Sequence, residues 1–404
     1  MTTSTQAPET VPGSSVPGAK GHTDGAWAPI QTRSERARSY DPDDFERPTG
    51  REVNWKHTPI DRIAPLFEDA AGTPGAVALA FSGAASVEIT SKRVGDAPRG
   101  EVFTPEDRPA AIAWRQSEEA THLRIPAEVE LAEPVVVDIT GHGADGNSAL
   151  AHAHLIIEAA ANARGVIVLR HRGEAHFAEN VEILVGDGAH LTVITVQEWS
   201  DASVHAASHQ ARVDRDATLR HIVVSFGGGL VRINPSVELA GPGSQGQLYG
   251  LSYSDAGQHL ESQVYLFHKG RDTRGDVLYK GALQGAGARS VWIGDVLIGP
   301  DAVGTDSYEA NRNLVLTDGA RAESIPNLEI ETGDIRGAGH ASATGRFDDE
   351  QLFYLQSRGI SEEEARRLVV IGFLSDIVQR IGIPALETEL HAAIELELQE
   401  GAPE

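Results

Sequence analysis

The chain has 404 residues and a formal net charge of −25, with 34 Lys and Arg against 59 Asp and Glu, and it contains no cysteine. Phosphate backbones and anionic membrane surfaces are held by clustered Lys and Arg, so this balance points away from nucleic acid and membrane as partners. Without cysteine no disulfide can form, which fits a reducing cytoplasm. An apolar content of 40%, few aromatics and 42 glycines suit a β-rich fold with many tight turns better than a helical bundle.

Residues 1–45 are rich in Ser, Thr, Pro, Gly and charge, and are expected to be disordered. They lack the apolar core of a signal peptide, and no later run approaches the roughly 20 apolar residues that a membrane helix needs. Residues 46–118 read as a small α/β region, with a short helix at 60–67 and strands at 77–81 and 86–90. From 119 to 345 short β-branched strands alternate with small-residue turns. Candidate strands are 135–139, 155–157, 166–169, 181–185, 191–196, 219–225, 247–253, 263–267, 277–280, 290–298, 313–316 and 328–331. The turns recur as Gly186-Asp187-Gly188-Ala189, Asp214-Arg215-Asp216-Ala217, Gly241-Pro242-Gly243, Gly285-Ala286-Gly287-Ala288 and Asp318-Gly319-Ala320. No helical insert of βαβ type interrupts them. The pattern fits a sandwich, a barrel or a β-helix, and the small corner residues lean toward stacked coils.

Residues 346–404 read as a helical domain. Ser361 with Glu364 forms a capping-box pattern. The following helix carries Leu368, Val369, Ile371, Phe373, Leu374, Ile377, Val378 and Ile381, apolar around more than half its circumference. Gly382 ends it and Pro384 opens the next helix, which has Leu386, Leu390, Ala393 and Ile394 on one face.

Three patterns bear on chemistry. His152, His154 and Glu158 lie on one strand with the spacing of the first metal-binding motif of cupin barrels, and two histidines with a carboxylate make a sound metal site. The second cupin motif is missing, since no proline occurs between Pro134 and Pro235. His205 and His209 are four apart but lack the Glu of H-E-x-x-H, and Phe226-Gly227-Gly228-Gly229 matches no phosphate-binding loop. His340 is expected in a turn lined by glycine and alanine, Gly337-Ala338-Gly339-His340-Ala341, which leaves room for a neighbour.

Residues 326–360, PNLEIETGDIRGAGHASATGRFDDEQLFYLQSRGI, resemble the C-terminal signature of the SufB/SufD family of iron–sulfur cluster assembly: P-x-L-E-I, then S-H-G-A-T, then D-E-Q-x-F-Y-L-x-S-R-G-I. The chain departs at the histidine motif, where Gly339-His340-Ala341-Ser342-Ala343 keeps the histidine alone. Trp55-Lys56-His57-Thr58 is similar to part of the family's N-terminal pattern. The resemblance implies a right-handed parallel β-helix core. It also implies a non-catalytic scaffold subunit, with His340 at the interface with a SufB-like paralogue as a transient iron ligand beside the partner's cysteine. It further implies a C-terminal helical region that docks on a SufC-like ABC ATPase, for which Leu368, Phe373, Leu374, Ile377 and Ile381 are the candidate contacts. SufB uses cysteines as cluster ligands, so a chain without cysteine is most like SufD. No stable cofactor is expected on the isolated chain; a transient iron–sulfur cluster, and a flavin, belong to the complex. The rival reading is an enzyme, either a cupin-like metal protein using His152, His154 and Glu158 or a β-helix carbohydrate lyase.

Overall fold

A computed structural model describes residues 36–143, 149–346 and 349–400. Of the tail expected to be disordered, residues 1–35 lie outside the described residues, whereas residues 36–45 are ordered, with a helical turn at Pro42–Asp44 and Tyr40 packed against Trp114. The chain begins with α1 (Ile60–Ile63), β1 (Val77–Ser82), β2 (Glu88–Arg93) and α2 (Arg108–Gln116). The strands β3 (Glu119–Ile125), β4 (Val135–His142), β5 (Leu150–Ala159), β6 (Arg164–Glu174), β7 (His176–Val185), β8 (His190–Trp199), β9 (Val204–Val213) and β10 (Thr218–Ser225) follow. They continue as β11 (Leu230–Leu239), β12 (Gln245–Ser254), β13 (His259–His268), β14 (Arg274–Leu283), β15 (Arg289–Ile298), β16 (Asp306–Val315), β17 (Arg321–Ile330) and β18 (Gly337–Arg346). Helices α3 (Asp349–Ser357), α4 (Glu362–Ile381) and α5 (Pro384–Glu400) close the chain.

Successive strands alternate between two nine-stranded sheets. One has the order β1-β4-β6-β8-β10-β12-β14-β16-β18, the other β17-β15-β13-β11-β9-β7-β5-β3-β2. From β3 onward every pairing is parallel and joins a strand to the one two places on, so the chain winds as a parallel β-solenoid. Only β1 and β2 run antiparallel, each pairing with the first strand of a sheet and covering its edge. At the other end β17 and β18 have no outer neighbour among the described residues.

Side chains alternate across a strand. One set, including Ile167, Leu169, Val181, Ile183, Leu191 and Val193, fills the space between the sheets. The other set faces outward yet is also buried. On the β6–β16 sheet, Ile222, Val224, Tyr249 and Leu251 lie under Val370, Leu374, Ile377 and Ile381 of α4 and Leu390 and Ile394 of α5. On the other sheet, Ala178, Val204, Ala206 and Leu230 lie under Trp55, Ile63, Leu66 and Phe67. Strands covered on both faces lose their polar alternation, and β7 and β9 are buried almost throughout.

The N-terminal segment is also fastened electrostatically. Arg232 on β11, 1% exposed, meets Asp107 at 3.0 Å and Glu261 at 3.1 Å, and its guanidinium lies 4.0 Å from the Trp55 ring centre. Thr58 donates to Glu261 at 2.8 Å. Removing one member of such a set leaves a buried charge unpaired, a loss of about 3–5 kcal/mol.

The corners explain the small-residue turns. Glu128, Asn162, Gly188, Asp216, Gly243, Asp272 and Gly304 all take positive φ, between 54° and 78°. Each backbone N–H donates to a carbonyl of the next coil, for example Asp216 to Pro242 and Gly243 to Arg271, both within 3.0 Å. From Asn162 onward an Asx residue and a glycine alternate. A Cβ on Gly188, Gly243 or Gly304 would lie 2.3–2.5 Å from the side-chain oxygen of the Asx one coil below. Only Gly, Asn and Asp visit this region readily, and only glycine fits above an Asx carboxyl or amide.

The C-terminal helices end as expected from the sequence. Ser361 accepts the Glu364 N–H at 3.2 Å, and Gly382 closes α4 at φ 72°. The Glu364 side chain turns instead to Arg367, so only half of the capping box forms. Pro235 sits inside β11, where the ladder to β13 is interrupted at Asn234 and Pro235. This accommodates the missing N–H.

Gly243→Ala should cost more than Gly257→Ala, although both glycines have nearly equal φ (+74° and +76°), because nothing lies within 4 Å of a Cβ at Gly257. The expected loss is about 1 kcal/mol at Gly257 and about 1–3 kcal/mol more at Gly243. Urea unfolding of the two variants checks this; equal losses would show that the Asx contact does not restrain the corner.

Candidate functional site

His340 lies in β18, not in a turn. The run Gly337-Ala338-Gly339-His340-Ala341 is small because the strand is the last of its sheet and needs little bulk, and Gly and Ala do not prevent pairing along β16. Register sets Ala338 beside Ser307, His340 beside Glu309 and Ser342 beside Asn311. Ala338 packs on the core between the sheets, so His340, two residues on, shares that inward face. Because no further coil covers it, the imidazole is exposed, and no side chain among the described residues bonds it.

Glu309 is the buried neighbour beneath it. Parallel strands lie about 4.8 Å apart, so the two side chains occupy adjacent rungs at the mouth of the solenoid. Glu309 is fully buried, and no donor or cation side chain reaches either carboxylate oxygen. Burial first, and the nearby Asp295 second, push its carboxyl up to about 8, with the backbone of Asn327 opposing weakly. No local motif marks this residue. It becomes visible only when β16 and β18 are stacked in register, and coil lengths vary too much to supply that register in advance.

The five residues expected to dock on an ATPase separate into two groups. Leu374, Ile377 and Ile381 are buried against the outer face of the chain's own sheet and offer no surface to a partner. Leu368 is 43% exposed, and Phe373 is partly buried, with Lys280 5.1 Å from its ring centre and donating to its carbonyl at 3.0 Å. The correction has a simple cause: amphipathicity identifies an apolar face without saying what covers it. The exposed apolar surface of this region is instead Phe353 and Tyr354 on α3, Leu368 on α4 and Leu396 on α5.

His152, His154 and Glu158 do not converge. His152 bonds the Ala70 carbonyl at 3.0 Å, and His154 bonds buried Glu182 at 2.8 Å between the rings of Phe103 and Trp114. Glu158 meets His122 at 2.9 Å and Arg124 at 3.1 Å. Each has a different neighbour from another element, so the three form no common metal centre and the cupin reading falls. Among the described residues no helix is long and apolar enough to cross a membrane.

Comparison with known proteins agrees with this fold. The family described as SUF system FeS cluster assembly, SufBD core domain, matches residues 141–373. An iron–sulfur cluster assembly SufBD family protein of Mycobacterium tuberculosis (strain CDC 1551) is 47% identical over 373 residues, covering 91% of this chain and 93% of its own length. The iron–sulfur cluster assembly protein SufD of Escherichia coli is 26% identical over 393 residues, 88% of this chain and 90% of its own length. A second SufBD family protein of the same M. tuberculosis strain is 28% identical over 219 residues, 54% of this chain and 26% of its own length. The chain belongs to the SufBD family of SUF-system iron–sulfur cluster assembly proteins and is distantly SufD-like.

Proposed function

We propose that this chain is a non-catalytic, cytoplasmic scaffold subunit that pairs, through the open end of its solenoid, with a SufB-like paralogue and presents α3–α5 to a SufC-like ABC ATPase. The observation that carries the reading is the composition of that end: two strand edges with no outer neighbour among the described residues, an exposed inward-facing His340 and a buried carboxyl, Glu309, that no described side chain pairs. Unpaired edges are templates for another chain's strands. Neutral imidazole and carboxylate are good iron ligands, while clusters are held mainly by thiolates. This chain has no cysteine, so the thiolates must come from the partner. A strain of M. tuberculosis with two SufBD family proteins fits a scaffold built from two unlike copies. The iron–sulfur cluster is cargo, assembled at the junction; ATP hydrolysis belongs to the partner ATPase, and the exposed Phe353, Tyr354, Leu368 and Leu396 are the apolar contacts available to it.

His340→Ala should leave the isolated chain's stability within about 0.5 kcal/mol of wild type, as for an exposed side chain. Co-purification with the SufB-like and SufC-like proteins should persist, while cluster formation, read by visible absorption of the complex and by iron–sulfur enzyme activity in cells, should drop. Normal cluster formation in this variant would remove His340 from the assembly site.

Glu309 supplies a pH signature. Its folded value, about 8, lies above the ordinary 4.5, so folding favours the protonated form. Glu309 therefore contributes stability that is lost as pH rises from about 4.5 to about 8. Glu309→Gln removes this loss and should be more stable than wild type at pH 7.5 by an amount on the order of 2 kcal/mol, with no difference near pH 4.5. Thermal unfolding across that range checks the claim. In the complex the same variant should form less cluster, since the iron loses an oxygen ligand.

A further inference from the structure

Deep between the sheets, away from the open end, lies a polar island in an otherwise apolar core. His171 comes from β6, Glu179 from β7, and His205 and His209 from β9, all inward-facing and at most 1% exposed. The Nε2 atoms of His171, His205 and His209 lie 3.1, 3.6 and 3.9 Å from one oxygen, Glu179 Oε2. Single ligand atoms of His171, Glu179 and His205 all fall within 4.8 Å of one another.

The hydrogen-bond polarity is the telling feature. His171 Nδ1 faces the Val196 carbonyl at 3.2 Å, so it carries the proton. His205 Nδ1 faces Gln197 Oε1 at 2.9 Å, and that amide is oriented by Trp199 Nε1–H donating to the same oxygen at 3.1 Å. Trp199 Nε1–H also points at His205 Nδ1 itself, at 3.2 Å, so this nitrogen has both a donor and an acceptor beside it. His209 Nδ1 is engaged by His221 Nε2 at 2.9 Å. With its Nδ1 turned to the Val196 carbonyl, His171 aims Nε2 at the Glu179 carboxylate. No Lys or Arg among the described residues forms an ion pair with Glu179. Among the described residues, Glu179 Oε1, His205 Nε2 and His209 Nε2 lie within no hydrogen bond of normal length and angle.

We propose that His171, Glu179 and His205 bind one divalent transition-metal ion inside the solenoid, of the kind that imidazole and carboxylate favour: zinc or iron(II). Bonds of about 2.0–2.2 Å place tetrahedral ligand atoms about 3.3–3.6 Å apart, close to the 3.1 and 3.6 Å that separate His171 and His205 Nε2 from Glu179 Oε2. The outward Nδ1 bonds to a carbonyl and an amide are the supporting contacts that fix ligating histidines in one tautomer. The ion would tie β6 of one sheet to β7 and β9 of the other, as a structural staple. This site is separate from His340 and its cargo, does not rest on the scaffold reading, and replaces the expectation that the isolated chain carries no stable cofactor.

The test uses the untagged full chain, produced in cells supplied with zinc or cobalt and purified without chelator. The expected result is about one metal per chain by elemental analysis. X-ray absorption should show a shell of two or three imidazoles plus oxygen. His205→Gln and Glu179→Gln should lose the metal while keeping a β-type circular dichroism spectrum, and His152→Ala should keep it. Less than about a tenth of an equivalent in the wild type, a shell of oxygen alone, or metal retained in folded His205→Gln would each overturn the proposal. If a variant fails to fold, the wild-type stoichiometry and metal shell decide.

Discussion

The structure depends on one requirement: every coil must stack in register on the next, because the backbone donors and acceptors of its strands find their partners one coil away. The corners enforce this. At Asn162, Gly188, Asp216, Gly243, Asp272 and Gly304 the chain turns through positive φ and its N–H reaches the following coil. An Asx side chain fills the space above its own corner, and the glycine one coil on leaves that space empty. The alternation is a packing rule written along the solenoid axis, invisible within any one turn. Since parallel stacking gives long-range contacts only, such corners also limit the registers open to the folding chain.

The covering of the two outer faces follows from the same winding. A solenoid leaves apolar outer faces that its own coils cannot bury, and the two termini do it here, the N-terminal segment over one sheet and α4 with α5 over the other. The helices therefore belong to the core as much as the strands do. Any partner that binds them meets the residual exposed positions, chiefly on α3, and not the apolar stripe that dominates the sequence of α4.

Much of this was legible in the residues. Strands rich in Val and Ile, such as 191–196, 219–225 and 290–298, carried their own signal, and the small-residue corners marked the ends of coils. The Ser361 cap and Gly382 set α4 to within a residue. What escaped had physical reasons. β9 is Ala, His and Gln-rich because its inward face builds a polar island, and β11 contains Pro235, which argues against a central strand unless the ladder breaks there. β18 looked like a turn because an end strand needs no bulky side chains. Glu309, Glu179 and His171 have no local motif; their meaning arises from neighbours a coil away, and coils of unequal length give no fixed period to read. The spacing of His152 and His154 did suggest a metal, yet each ring is claimed by a different element.

The ends of the solenoid are not equivalent. Antiparallel β1 and β2 cover the first coil, whereas the last described coil ends on parallel strands with no outer neighbour among the described residues. A stack of parallel coils with matching ends can add subunits head to tail without limit and grow into a fibre. Here the edges at one end belong to antiparallel strands of six residues and those at the other to parallel strands of ten. A coil that continues one end in parallel register does not continue the other, so the capping strands work against head-to-tail growth.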